Sequence, residues 1–183
     1  QLYVLHAGYA DERVASTVSV AIDGDVITVI DPGMVASRSL ILDPLRALGI
    51  AAADVTDVVL SHHHPDHTVN IALFENARVH DHMATYVADE WIDHDEDGDF
   101  VVSASVVVRA TPGHTDQDVS TFVTTGDGLV VLTHLWWHAD GPADDPFAHD
   151  RELLRQQRRV VLASSPHLIV PGHGPAFTPS AST

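Results

Sequence analysis

The sequence contains no cysteine and no lysine. Without Cys there are no disulfides, no thiolate-held zinc and no thiol nucleophile. Without Lys there is neither a Schiff-base amine nor the lysine of a phosphate-binding P-loop. Positive charge is scarce altogether: the nine basic residues are all Arg, set against 26 Asp and Glu, for a formal charge of −17. Such a field repels phosphate, which argues against a nucleic-acid groove and against an anionic membrane surface. No apolar run reaches the roughly 20 residues needed to cross a bilayer. The opening QLYVLHAGYA lacks the basic start and long apolar stretch of a signal peptide, so the expected compartment is the cytoplasm. It begins on Gln rather than Met, as a trimmed chain would. The serine elbow G-x-S-x-G is absent too, so a covalent serine route has no support.

At 183 residues, 45% of them apolar, the chain is expected to form one globular domain over residues 1–183. Ser16 to Ile30 reads as two β-branched strands joined at Asp23-Gly24 and closed by Asp31-Pro32-Gly33. Ser37 can cap a helix through Leu40, Ile41, Leu45 and Leu48, with Gly49 as its stop. Asp57 to Leu60 is a short buried strand, Val69 to Phe74 a helical turn, and Ala77 to His80 another strand. Further strands fit Ser105 to Ala110, Val119 to Thr125 and Leu129 to Thr133, the last two joined by Gly126-Asp127-Gly128. A helix fits Asp150 to Ala163, with Leu153, Leu154, Val160 and Val161 on its apolar side, and Leu168 to Val170 is the final strand. The acidic stretches Asp93–Asp99 and Asp140–Asp145 read as solvated loops, and the polar tail Thr178–Thr183 as a frayed end.

Histidine is abundant, at 14 residues. Residues 61–67 read S-H-H-H-P-D-H. Three times an apolar strand stops and a histidine follows in a Gly- or Pro-bearing turn: at His62 onward, at His114 and at His173. Loops at strand ends are held by a rigid scaffold, and neutral imidazole is a common metal ligand. In an extended segment His62 and His64 face one way and His63 the other. Pro65 then turns the chain, so that Asp66 and His67 aim at a second, adjacent position. His6, His80, His82, His94, His149 and His167 fall outside this pattern and read as ordinary hydrogen-bonded residues.

His62-x-His64-x-Asp66-His67, then Gly113-His114, then Pro171-Gly172-His173-Gly174, resembles the metallo-β-lactamase superfamily. Asp31-Pro32-Gly33 after a strand resembles that family's early buried aspartate motif, so the likeness extends over nearly the whole chain. The stretch Thr111 to Thr115 with Asp118-Val119-Ser120 is most similar to the metallo-β-lactamase domain-containing protein 1 group. The resemblance implies an α+β fold, a four-layer αβ/βα sandwich with the metal site at one edge of two packed sheets. It implies one metal held by His62, His64 and His114, and a second by Asp66, His67 and His173. Asp31 would act structurally, steadying the turn and the ligand backbone from behind.

One position departs from the family. About twenty residues beyond His114 the family usually carries Gly-Asp, whose carboxylate bridges two metals; here Val131-Leu132-Thr133-His134 stands in that place. A neutral imidazole has one free lone pair and cannot bridge two ions as a carboxylate does. His134 therefore either caps one metal as a terminal ligand or leaves the two positions unequally filled. Asp127 in the far hairpin turn and Asp140 in a loop are poor substitutes. Trp136 and Trp137 follow, as core packing or as an apolar wall for a substrate. His138 reads either as a donor to a substrate oxygen or as a solvated loop residue.

The expected cofactor is zinc, one or two ions, with iron or manganese as alternatives. The expected partner is a small-molecule substrate, with no nucleic acid and no membrane. Metal-activated water would attack a small ester, lactone, thioester or amide, and Asp66, as the catalytic carboxylate, would orient that water and take its proton. Oxidation at a single non-haem iron is the second reading. A metal-binding protein of little activity is the third.

Overall fold

The computed structural model describes residues 1–94 and 99–179. In chain order the elements are β1 (Leu2–His6), β2 (Tyr9–Ala10), β3 (Val14–Ala15), β4 (Val18–Asp23), β5 (Val26–Ile30), α1 (Ser39–Ala47), β6 (Asp57–Val59) and α2 (Pro65–Thr68). There follow β7 (Arg78–His80), β8 (Ala84–Val87), β9 (Glu90–Asp93), β10 (Phe100–Val101), β11 (Val106–Ala110), β12 (Val119–Thr125), β13 (Gly128–Thr133), α3 (Arg151–Ala163) and β14 (Leu168–Pro171). One sheet has the order β1-β4-β5-β6-β7-β8-β9, the other β10-β11-β12-β13-β14, and β2-β3 forms a short ribbon. β5, β6 and β7 run parallel, as do β13 and β14; the remaining pairings are antiparallel.

Alternation along the strands divides the core into three. Ile30, Val59, Val108, Val130, Leu132 and Val170 point between the sheets. Their neighbours Val29 and Val58 point outward, beneath Ile41 and Leu45 of α1. Val131 and Ile169 point to the far side, beneath Leu154 and Val161 of α3. Successive residues face opposite sides of a strand, so each β-branched run can feed two cores at once. The result is the expected four-layer αβ/βα sandwich. Each fully buried Val, Leu or Ile contributes roughly 1.5–3 kcal/mol.

Several local expectations shift by a residue or more. The first hairpin pairs Asp23 with Val26, so its two-residue turn is Gly24-Asp25, with Gly24 at φ 63°. In α1 the N-cap is Arg38, while Ser37 Oγ accepts from the Ser39 amide at 3.3 Å. Ile41 and Leu45 are buried; Leu40 stands about 100° around the helix and Leu48 is its C-cap, so both are exposed. Gly49 ends the helix at φ 81°. Val69 to Phe74 is not one turn: Pro65 opens α2 earlier, and a separate 3-10 turn covers Ile71–Leu73. Asp150 caps α3 by accepting from the Glu152 and Leu153 amides, Leu154 and Val161 carry its buried stripe, and Val160 is exposed.

The strands β1, β2, β3, β8, β9 and β10 have no counterpart among the sequence expectations. The β8–β9 hairpin turns at Ala88-Asp89, with Ala88 at φ 54°, a conformation usually announced by Gly or Asn. Its outer strand is exposed throughout, so no apolar alternation marks it. Asp93 therefore ends β9 instead of opening a solvated loop, and residues 95–98 of that acidic stretch lie outside the described residues. Residues 180–183 of the polar tail also lie outside them. Among the described residues no helix is long and apolar enough to cross a membrane.

Candidate metal centre

The ends of four strands meet at one rim of the sandwich. β6 leads into His62 and His64, and α2 carries Asp66 and His67. The loop after β11 carries His114, His134 follows directly on β13, and His173 follows β14 after Gly172. Pro at the first helical position makes α2 start abruptly, which turns Asp66 and His67 away from the line of the preceding loop. Gly33 permits the Asp31-Pro32-Gly33 loop to lie against them: a Cβ at residue 33 would stand 2.5 Å from His67 Cα.

All seven side chains come together. Nε2 of His62 and Nε2 of His114 each lie 3.0 Å from Nδ1 of His64. One ring nitrogen holds a single proton or a single lone pair, so His64 cannot satisfy both by hydrogen bonding. Beside this trio, Oδ2 of Asp66 lies 3.4 Å from Nε2 of His67 and 3.5 Å from Nε2 of His173. Ligands about 2.1 Å from a tetrahedral ion stand roughly 3.4 Å apart, so this spacing suits a shared cation.

His134 belongs to both groups. Its ligand atom lies within 4.8 Å of those of His62 and His114, and likewise of those of His67 and His173. Nε2 of His134 is 3.0 Å from Nε2 of His173, which places it beside the second group. Nδ1 of His134 is buried with no hydrogen-bond partner. Asp127 and Asp140 are both exposed, and neither lines the cradle.

The surroundings orient the rings. Nδ1 of His114 donates to Asp145 Oδ2 at 2.7 Å, Nδ1 of His67 to Asp31 Oδ2 at 2.8 Å, and Nδ1 of His173 to the Ala15 carbonyl at 2.9 Å. Each of these bonds places the proton on Nδ1 and leaves the Nε2 lone pair facing inward. His67 Nε2 is fully buried without a partner, a costly state unless a cation occupies the space it faces. Asp31, at φ 52°, also accepts the Ser61 amide through Oδ1 at 2.7 Å, so it braces His67 and the ligand loop together. The donor set thus fits a divalent metal.

Burial, followed by the neighbouring imidazoles, pushes His62 and His134 far below the ordinary histidine pKa. Burial also lowers His64 and His173. On His67 burial is the largest influence and acts downward, but the Asp31 charge and hydrogen bond, with Asp66 added, carry it above the usual value. Neutral imidazole is the form that ligates. Burial raises the Asp118 carboxyl to about 6 against hydrogen bonds from Thr115 and the His114 amide, which lies 2.6 Å from Asp118 Oδ2.

His63 turns away, its Nε2 2.8 Å from Asp81 Oδ2. The two tryptophans divide: Trp136 packs in the α3 core, whereas Trp137 faces the cradle. His138 is exposed and does not line the cavity. The reading of Asp140–Asp145 as solvated is corrected at Asp145, which is 0% exposed and bonds both His114 and Trp137 Nε1. Acidic composition hid this residue, since nothing local distinguishes it from exposed Asp144.

Above the ligands opens a cavity of about 440 Å³. Ala10, Val14, Pro65, Trp137 and Phe147 wall it, Trp137 and Phe147 stacking at 5.9 Å. Besides Asp66, Asp11 is the acidic residue on its lining, and among the described residues no Arg lines it.

Comparison with known proteins agrees with this geometry. The family model described as the metallo-beta-lactamase superfamily matches residues 11–105. Metallo-beta-lactamase domain-containing protein 1 of Xenopus laevis is 32% identical over 163 residues, covering 85% of this chain and 70% of that protein. The protein of the same name from Homo sapiens is 34% identical over 161 residues, covering 81% of this chain and 58% of its own length. The chain thus spans less than two thirds of the human relative. Among solved structures, a metallo-beta-lactamase family protein from Thermus thermophilus superposes with a TM-score of 0.73 at 16% identity, covering 97% of this chain and 74% of that one. An N-acyl homoserine lactone hydrolase with N-hexanoyl-L-homoserine at its catalytic metal centre superposes at 0.68 and 21% identity, covering 94% and 92%. With the family model spanning half the chain and relatives above 30% identity, this chain belongs to the metallo-β-lactamase superfamily.

Proposed function

We propose that this chain is a metal-dependent hydrolase acting on a small, uncharged ester, lactone, thioester or amide. The observation that carries the reading is the convergence of six imidazoles and the Asp66 carboxylate, of which His64, His114, His134, His173 and Asp66 line one accessible cavity. His62, His64 and His114 would hold one ion, and Asp66, His67 and His173, with His134 beside them, a second. Zinc is the metal this nitrogen-rich set favours. A divalent ion there supplies Lewis acidity and lowers the pKa of water towards neutrality. Asp66 is the carboxylate placed to orient that water and take its proton. Asp145 and Asp31 keep His114 and His67 from rotating. Trp137 and Phe147 offer an apolar side for an acyl or aromatic group, and among the described residues no Arg lines the cavity to pair with a substrate carboxylate or phosphate away from the metal ligands. A lactone hydrolase of the same fold that holds its product at the metal centre supports this chemistry.

A second reading rests on one observation. His67, His173 and Asp66 form a two-histidine, one-carboxylate group, the kind that suits mononuclear non-haem iron. Elemental analysis of protein purified without added metal, with a panel of chromogenic esters and lactones before and after chelation, separates the readings. Zinc with chelator-sensitive hydrolysis supports the first, and one iron per chain without hydrolysis supports the second. A metal-loaded protein inert on every substrate would leave a metal-binding role alone.

A further inference from the structure

A third group of metal-ligating side chains lies outside the cradle. His63 belongs to the ligand loop, but its ring points to the opposite side from His62 and His64, towards the turn between β7 and β8. Its side chain is 43% exposed. Asp81 meets it from that turn, buried and firmly held. Oδ1 of Asp81 accepts the Met83 and Ala84 amides at 2.7 and 3.0 Å, and Oδ2 accepts the Tyr86 hydroxyl at 2.9 Å. His82 follows, its ring centroid 5.4 Å from that of His63 and its Nδ1 buried without a hydrogen-bond partner among the described residues. One ring nitrogen from each histidine and one Asp81 oxygen lie within 4.8 Å of one another.

Of the neighbouring histidines, His80 is bound on both sides, by Asp57 at 2.7 Å and Thr85 at 2.8 Å. His94 is bound to Thr85 through Nε2 at 2.9 Å; its Nδ1 has no hydrogen-bond partner among the described residues, but the ligand atoms that converge are those of His63, Asp81 and His82. Three features therefore coincide: a carboxylate oriented before any ligand arrives, an imidazole nitrogen without a partner, and a second imidazole open to solvent. An ordinary surface histidine–aspartate pair needs only the last of these.

We propose that His63, Asp81 and His82 form a separate peripheral site for a divalent transition-metal ion. Two imidazoles and a carboxylate select zinc, copper or nickel over calcium and magnesium, which prefer oxygen-rich shells. With three protein ligands and an open side, the site binds more weakly than the cradle. Its occupant ties the β7–β8 turn to the loop that carries His62 and His64. This site stands independently of the hydrolase reading, because its ligands face away from the cavity.

Equilibrium dialysis of the metal-stripped chain against stepped Zn²⁺, with bound zinc counted by elemental analysis, tests it. The wild type is expected to take up one more equivalent, at higher zinc, than His82→Ala or His63→Gln, with the tight uptake equal in all three. Ca²⁺ at the same concentrations should add nothing. Above the zinc level that fills the tight positions, the melting temperature should rise again in the wild type but not in His82→Ala. Coincident isotherms for the wild type and both variants overturn the proposal and reduce the His63–Asp81 contact to a hydrogen bond. Loss of the tight equivalents in His82→Ala would overturn the separation of this site from the cradle.

Discussion

The ring of His134 occupies the space that a side chain at Gly172 would need: a Cβ there would stand 2.3 Å from His134 Cδ2 and 2.8 Å from its Nε2. The Pro171-Gly172-His173-Gly174 motif and the position that departs from the family are thus packed as one unit. Gly172→Ala should cost about 1–3 kcal/mol by overpacking. In a His134→Ala background most of that cost should vanish, because the ring is gone. Urea unfolding of the two single variants and the double variant measures the coupling, and additive losses would show that the ring moves aside freely.

A metal in the cradle would hold together strand ends that are distant in sequence. A ligand bound only by the folded state at about 100 times its Kd adds roughly 2.7 kcal/mol, which for a chain of this size is about 5–10 °C of Tm. Chelation, verified by elemental analysis, should therefore lower Tm by that order. An unchanged Tm would mean the cradle is held by protein contacts alone.

His62→Ala and His64→Ala should each empty the first position. His63→Ala should keep the tight metal, since its ring points to Asp81. Equal loss of tight metal from all three variants would contradict the facing described here.

His134→Asp places a carboxylate where the family carries its bridge, and should bring the two positions closer in zinc affinity; His134→Ala should not. The wild type is expected to bind its two equivalents unequally, because less negative charge separates the cations. Zinc titration followed by counting bound equivalents decides this. Two equal, tight equivalents in the wild type, unchanged in His134→Asp, would remove position 134 from the explanation.

Asp57 gives the acid limit of stability. Burial is the largest influence on it and acts upward, but bonds from His80, Thr56 and Arg78 at 2.7–2.8 Å leave its pKa below the ordinary value. A carboxyl lowered in the folded state adds stability above its unfolded pKa and loses it as pH falls through the folded one. Unfolding free energy should therefore drop below about pH 4. Asp57→Asn should flatten that slope and cost roughly 1–3 kcal/mol at neutral pH, because it removes the buried carboxylate charge that His80 and the half-exposed Arg78 bond.

The cradle was largely readable from the chain because its ligands sit where a β-branched run meets Gly or Pro, a signal carried by adjacent residues. His63 was separable from its neighbours for the same reason: alternation is a local rule. Asp145 and Asp81 were not, because burial of a single carboxylate is decided by partners 31 and 18 positions away. β9 was missed because an exposed edge strand needs no apolar alternation, and its turn uses Ala88 where Gly would have given the signal. The layered fold was legible for the opposite reason, since each buried run feeds the two sides of its sheet.

His173 reaches its place only when the Ala15 carbonyl is there to accept from it and the Thr17 amide has bonded Gly172 at 2.8 Å. An early segment of the chain thus frames the last ligand. During synthesis His64 emerges 109 positions before His173, a delay of roughly 5–20 s at common elongation rates of 5–20 residues per second. Through that interval the ligand loop gains His114 and then His134 from the second sheet, but the group of Asp66 and His67 still lacks His173. Completion of the second position is therefore a late event in the life of each molecule, and a chain truncated before residue 173 could not complete its cradle.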